Sequence, residues 1–120
     1  MQIGKRYIFV GADGNTFTGI IVRVTDKTIT YKHKSDDNYQ NTTGKYGEGT
    51  YHIPRELIVK SFLMDELIPG QRYNFKFTDK EFTHVFISIS GNYEMVHCYE
   101  TGQGRTSFPL YWIKDISSEK

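Results

Sequence analysis

Apolar and polar positions alternate from the start of the chain, with Tyr7 and Phe9 on one side of a short stretch and Arg6 and Ile8 on the other. Period two marks a strand, because successive side chains point to opposite faces. The same phrase returns at Tyr73 and Phe75, with Arg72 and Asn74 opposite. Asp13-Gly14-Asn15 and Thr78-Asp79-Lys80 are turn chemistry, so each opening strand should fold back into a second one, at 16–25 and 81–90. Read on alternation, those strands bury Ile20, Val22 and Val24, then Val85, Ile87 and Ile89. Thr25-Asp26-Lys27 and Ser90-Gly91-Asn92 lead into third strands near 28–34 and 93–99, the second without a clear register. A short fourth strand ends at Pro54 and at Pro109, since proline has no amide to continue a ladder. Arg55-Glu56-Leu57-Ile58 and Leu110-Tyr111-Trp112-Ile113 then suit one 3₁₀ turn and a last short strand. The stretch 62–69 is short and apolar, which predicts two halves packed in a fixed relation.

The recurrence is ordered along the whole chain. Gly4, Arg6, Tyr7 and Phe9 return as Gly70, Arg72, Tyr73 and Phe75, an offset of 66. Phe17, Thr18, Ile20, Val22 and Val24 return as Phe82, Thr83, Val85, Ile87 and Ile89, an offset of 65. Gly47, Gly49, Pro54 and Ile58 return as Gly102, Gly104, Pro109 and Ile113, an offset of 55. An internal duplication follows, with one copy in 1–65 and the other in 66–120. The fall from 65 to 55 places ten extra residues in the first copy, within 35–46.

Composition narrows the class. Fifteen Lys and Arg stand against fourteen Asp and Glu, which argues against a strongly basic coat protein and against an acidic mimic of DNA. Residues 1–65 carry nine basic against seven acidic residues and residues 66–120 six against seven, so a polyanion would favour the first copy. Cys98 is the single cysteine and forms no internal disulfide, and no long apolar run is present, which predicts a soluble cytosolic chain without a membrane span.

The closing segments Ile53-Pro54-Arg55-Glu56-Leu57-Ile58 and Phe108-Pro109-Leu110-Tyr111-Trp112-Ile113, each after four short strands and a Gly-x-Gly turn, are similar to the end of SH3-like barrels. That group includes Tudor-like and KOW-like modules. The openings, Gly followed by Tyr and Phe two residues apart, resemble the starts of short barrel proteins common in bacteriophage genomes. The resemblance implies an all-β fold of two tandem SH3-like small β-barrels related by internal duplication, and it speaks to fold more than to function. Neither copy has the Trp with which signalling SH3 modules open their third strand, so recognition of Pro-rich peptides is not implied. A methyl-lysine cage needs several aromatics converging at one barrel end; Tyr31, Tyr51, Tyr93, Tyr99, Tyr111 and Trp112 are available, with core or half-buried packing the simpler role.

No catalytic set can be assembled, so no enzyme, metal or cofactor is expected. The four histidines lack zinc-ligand spacing, and neighbours His97 and Cys98 point to opposite faces of a strand, which separates nucleophile from base. The Gly-rich run 43–49 lacks the residues of a phosphate loop. What remains is binding. The leading expectation is a non-catalytic protein docking on a host protein or nucleoprotein through the inserted loop and its adjoining strand, with Lys32, Lys34, Tyr39, Lys45 and Tyr46. One alternative is a nucleic-acid binder that adds Arg6 and Arg105, since lysines for phosphates beside stacking rings suit single strands. Another is a small-molecule sequestering protein with its ligand between the copies, stacked on residues such as Tyr111 or Trp112.

Overall fold

The computed structural model describes residues 1–32, 50–91, 93–100 and 102–118. It is all-β, with two antiparallel five-stranded sheets of the same connectivity. The first holds β1 (Arg6–Gly11), β2 (Thr16–Val24), β3 (Thr28–Lys32), β4 (Thr50–Pro54) and β5 (Ile58–Leu63), in the order β4-β3-β2-β1-β5. The second holds β6 (Arg72–Lys76), β7 (Glu81–Ile89), β8 (Met95–Glu100), β9 (Gly104–Pro109) and β10 (Asp115–Ser118), in the order β10-β6-β7-β8-β9. A 3₁₀ turn precedes the last strand of each, at Arg55–Leu57 and Leu110–Trp112. These are two tandem SH3-like barrels. Among the described residues no helix is long and apolar enough to cross a membrane.

Duplication is visible bond by bond. Arg6 pairs with Ile20 and Phe9 with Phe17, as Arg72 pairs with Val85 and Phe75 with Phe82. Gly4 and Gly70 both take positive φ, 86° and 92°, a conformation open to glycine because it has no Cβ. Their amides donate to Ile21 O and Phe86 O at 2.8 and 2.9 Å. Just after them, the hydroxyls of Tyr7 and Tyr73 accept from the amides of Gln2 and Ile68, both at 2.8 Å. The third strand of the second copy, whose register the sequence pattern leaves open, falls into place with Val96 opposite Ile89, as Ile29 lies opposite Val24 in the first.

One expectation about β2 and β7 is corrected. Ile21 and Phe86 lie in the cores, whereas Val22 is 41% exposed and Ile20, Val85 and Ile87 are only half-buried. Pairing sets this: Phe17 and Gly19 lie opposite Phe9 and Tyr7, as Phe82 and His84 lie opposite Phe75 and Tyr73, so Ile21 and Phe86 fall on the core side and Ile20 and Val85 on the other. A β-bulge follows between Ile21 and Arg23, matched between Phe86 and Ser88. An extra residue reverses the parity, so Val24 and Ile89 return to the core side with Ile21 and Phe86. The cores also trade volume. Tyr31 lies across Gly19, where a Cβ would sit 2.3 Å from the ring, and its ring centroid is 5.3 Å from that of Phe17. At the matching sites stand His84, stacked on Phe82 at 5.5 Å, and the fully buried Cys98. Large faces small in both barrels, in opposite order, which is how a close-packed interior keeps its total volume.

The barrels dock asymmetrically. Every residue of β1 is buried, and Ile8, on the face away from Tyr7 and Phe9, joins the core cluster of the second barrel with Leu110 and Ile113. The Thr16 hydroxyl donates to Ile113 O, and Lys114 Nζ donates to Gly14 O. Lys60 and Asp115 pair at 2.5 Å, while Lys5 meets the linker's Asp65 at 3.2 Å; exposed pairs of this kind add about 0–1 kcal/mol each. Arg6, expected on a polyanion surface, is instead 8% exposed at this seam. Its Nη1 donates to Thr18 Oγ1 at 3.0 Å and its guanidinium lies 3.7 Å from the centroid of the Tyr93 ring. Burial lowers the pKa of Arg6, with Tyr93 acting in the opposite direction.

The unused faces are polar. Where the first barrel has Ile8 and Val10, the second has Asn74 and Lys76; where the second has Leu110, the first has Arg55. The contact that Ile8 makes with the neighbouring barrel therefore has no apolar counterpart at Asn74. Ile8→Ala is expected to lose about 2–5 kcal/mol in urea unfolding, and the counterpart Asn74→Ala under about 1.5 kcal/mol. Gly19→Ala, which must displace the Tyr31 ring, should cost about 1–3 kcal/mol in the same measurement.

Candidate binding hollow

The second barrel opens at the end where the β6–β7 and β8–β9 turns converge. After β6 the chain turns with Phe77 N–H donating to Lys80 O at 2.7 Å, which keeps Phe77 in line with the strand. Phe82 and His84 alternate onto the same side of β7, and Glu100 ends β8. Pro109 halts the ladder, and the 3₁₀ turn that follows brings Trp112 back over the opening. The result is a hollow of about 220 Å³ lined by Phe77, Phe82, His84, Glu100, Phe108 and Trp112 with neighbouring Lys80, Thr106 and Ser107. Its rings meet edge to face: Phe77 lies 5.0 Å from Phe108, 5.7 Å from Phe82 and 5.9 Å from Trp112 between centroids. Across Trp112, a more open depression of about 420 Å³ runs along Thr78, Asp79, Tyr111 and Lys114.

His84 gives the hollow its polarity. Its ring is 6% exposed, and its Nδ1 is buried without a hydrogen-bond partner, the one such side-chain atom among the described residues. Leaving a buried polar group unpaired costs about 1–3 kcal/mol.

A hollow stands at the same place in the first barrel, about 210 Å³, lined by Gly11, Ala12, Asp13, Asn15, Phe17, Ile53 and Leu57. Position by position, Gly11 replaces Phe77, Gly19 replaces His84, Ile53 replaces Phe108 and Leu57 replaces Trp112. The site is therefore a property of the fold, and its aromatic crown belongs to the second copy.

The sequence-derived candidates scatter. Trp112 lines the hollow and Tyr111 lies beside it, with ring centroids 6.4 Å apart. Arg105 is exposed on β9, and Lys32 is half-buried at the end of β3. Lys34, Tyr39, Lys45 and Tyr46 lie outside the described residues. The aromatics considered for a cage do not converge: Tyr31 stacks on Tyr51 at 5.5 Å in the first barrel, Tyr93 is under Arg6, and Tyr99 is on the outer face of β8. Phe77, Phe82, His84 and Glu100 were not singled out by sequence. The legible signal for Phe77 and His84, as for Trp112, was the duplication itself, since Gly11, Gly19 and Leu57 become Phe77, His84 and Trp112.

Other polar chemistry is spent internally. Thr30 Oγ1 and His52 Nδ1 bond across β3–β4 at 2.9 Å, and the same cross-strand site in the second barrel is filled in reverse by His97 Nδ1 and Ser107 Oγ at 2.7 Å. A polar cleft of about 500 Å³ lies between the barrels, where a small ligand had been an option. Its two tyrosine hydroxyls are already held by the backbone amides of Gln2 and Ile68. Burial and the nearby Tyr51 raise the pKa of Tyr31.

No protein-family model and no curated protein matches the chain. Among solved structures, the crystal structure of Arabidopsis thaliana AGDP1 AGD34 is similar, at 15% identity over 98% of this chain and 82% of that one, with a TM-score of 0.35. A likeness of that degree carries no conclusion about binding.

Burial pushes the Cys98 thiol from an ordinary 9.0 up to about 12. A raised folded pKa contributes stability below the unfolded value that is lost as pH climbs toward the folded one. Unfolding free energy should therefore fall as pH rises from about 9 to about 12, with Tyr31 acting in the same direction. In the native protein at pH 8 the thiol should resist iodoacetamide, and it should react at once in urea, as followed by mass spectrometry.

Proposed function

We propose that this chain is a non-catalytic binding protein whose second barrel receives a side chain or other small group of a protein or nucleoprotein partner in its aromatic hollow. The observation that carries this reading is an opening walled by the rings of Phe77, Phe82 and Trp112 and lined also by His84, a residue whose buried Nδ1 has no hydrogen-bond partner. Binding sites combine apolar walls with a few convergent polar groups that fix orientation. The rings provide contact area, and His84 and Glu100 select for a group able to hydrogen-bond. Recurrence of the opening in the first barrel fits a binding fold whose copies have diverged in what they take. The buried thiol of Cys98 stays protonated at neutral pH, which does not favour a nucleophilic role for it.

Trp112 is the only tryptophan in the chain, so its indole N–H resonance is a unique reporter of occupancy. A panel of short peptides bearing aromatic, amide and cationic side chains, titrated by ¹⁵N–¹H spectroscopy, should contain members that shift Trp112, Phe77, Phe82 and His84 together. Trp112→Ala should abolish those shifts while leaving the melting temperature within a few degrees. A panel in which no peptide moves the indole resonance at millimolar concentration overturns the reading.

A further inference from the structure

The outer face of the second sheet carries a cross-strand row that the hollow does not use. Arg72 pairs with Val85, Val85 with Tyr99 and Tyr99 with Arg105, so one line crosses β6, β7, β8 and β9. Directly opposed residues in an antiparallel sheet share a face. Tyr99 is 45% exposed while its neighbour Cys98 is fully buried, which fixes the row on the solvent side. Adjacent strands lie about 4.8 Å apart, so the two guanidinium-bearing positions stand about 14 Å apart with an exposed ring between them. Lys76 is on the same face one row beyond Asn74, opposite Glu81. The row itself carries two arginines and no carboxylate, although residues 66–120 are net acidic in formal charge and Lys76 has Glu81 and Asp115 opposite it. Glu100, next to Tyr99 on β8, lines the hollow on the other side.

Asn74 and Lys76 stand where the first barrel has the covered Ile8 and Val10, and an uncovered face at that place accounts for their polarity. It does not account for Tyr99 and Arg105. They lie on β8 and β9, beyond the β1–β2 area that docking covers in the first barrel, and the first copy has Lys32 and Thr50 in the equivalent row. β9 is an edge strand, so an extended ligand can run past Arg105. We infer that this row binds single-stranded nucleic acid, with Arg72 and Arg105 on phosphates and a base stacked on Tyr99. Unstacked bases are what an exposed ring on an open sheet can engage, whereas a duplex offers that face only its phosphates. The inference is independent of what fills the hollow.

Fluorescence anisotropy with a labelled oligothymidylate at low salt tests it in the full chain. Saturable binding is expected, with log affinity falling against log salt at a slope of about −1.4 for two phosphate contacts. Tyr99→Ala should weaken binding roughly tenfold, and Arg105→Ala should weaken it and flatten the slope by about 0.7. Trp112→Ala, in the hollow, should leave it unchanged. All three side chains are exposed, and an unaltered melting temperature for each variant separates lost binding from lost fold. No binding by the wild-type chain overturns the inference, as does binding that ignores Tyr99→Ala and Arg105→Ala. Equal affinity for duplex DNA or heparin also overturns it, since that would mark a generic polyanion contact. A loss confined to Trp112→Ala would assign the nucleic acid to the hollow and remove it from the row.

Discussion

A strand in a small barrel ordinarily keeps one face in the core and one in water, yet β1 is buried on both, because the second barrel seats its 3₁₀ turn against the side of β1 that carries Ile8. Small barrels bury a modest fraction of their surface and are marginal alone. Sharing Ile8, Phe62 and Met64 with the neighbouring core enlarges the apolar interior of the second barrel. The seam also dictates the fate of its polar residues. Arg6 can be buried because Thr18 accepts its hydrogen bond and the ring of Tyr93 faces its charge. Tyr93 itself sits at φ 61°, an uncommon backbone region for a bulky residue, and the contact with Arg6 stands beside that local cost.

Asymmetric docking explains why two copies of one unit have drifted apart where they have. Positions within each barrel's own core changed in compensating pairs, Gly19 and Tyr31 against His84 and Cys98, as close packing demands. Positions on the docking faces changed without compensation, because only one copy of each face is covered. Ile8 became Asn74, and Leu110 stands where the first copy has Arg55. Hydrogen-bonded cross-strand pairs show the same logic on a smaller scale, with Thr30 and His52 exchanged for His97 and Ser107.

Functional divergence followed the same freedom. The opening at the barrel end lies between the first hairpin turn and the 3₁₀ turn of each barrel, so both copies have it. Its lining is free to vary, and the second copy filled it with rings around a polar atom that has no partner of its own. On the opposite side of β8, the residue next to Glu100 is Tyr99, so the hollow and the arginine-flanked row are separated by one step of strand alternation. The two proposed surfaces, of different chemistry, therefore share a barrel without sharing residues.

Alternation, turn residues and the ordered recurrence of Gly4 through Ile58 at Gly70 through Ile113 were enough to establish the strand order, the 3₁₀ turns and the duplication, because these depend on local geometry and short-range pairing. The burial of Ile21 and Phe86 was not legible, since it follows from the pairing of Phe17 with Phe9 and of Phe82 with Phe75, and no residue type announces the bulge that returns Val24 and Ile89 to the core side. Arg6 looked like a surface cation because a sequence records charge and not what is folded over it. The hollow, too, was half written in the chain, as the positions where glycine or leucine in one copy became aromatic in the other. Which face of a strand meets water, and which distant residues meet each other, were decided only when one barrel was laid against the next, for burial is a property of packing and not of order along the chain.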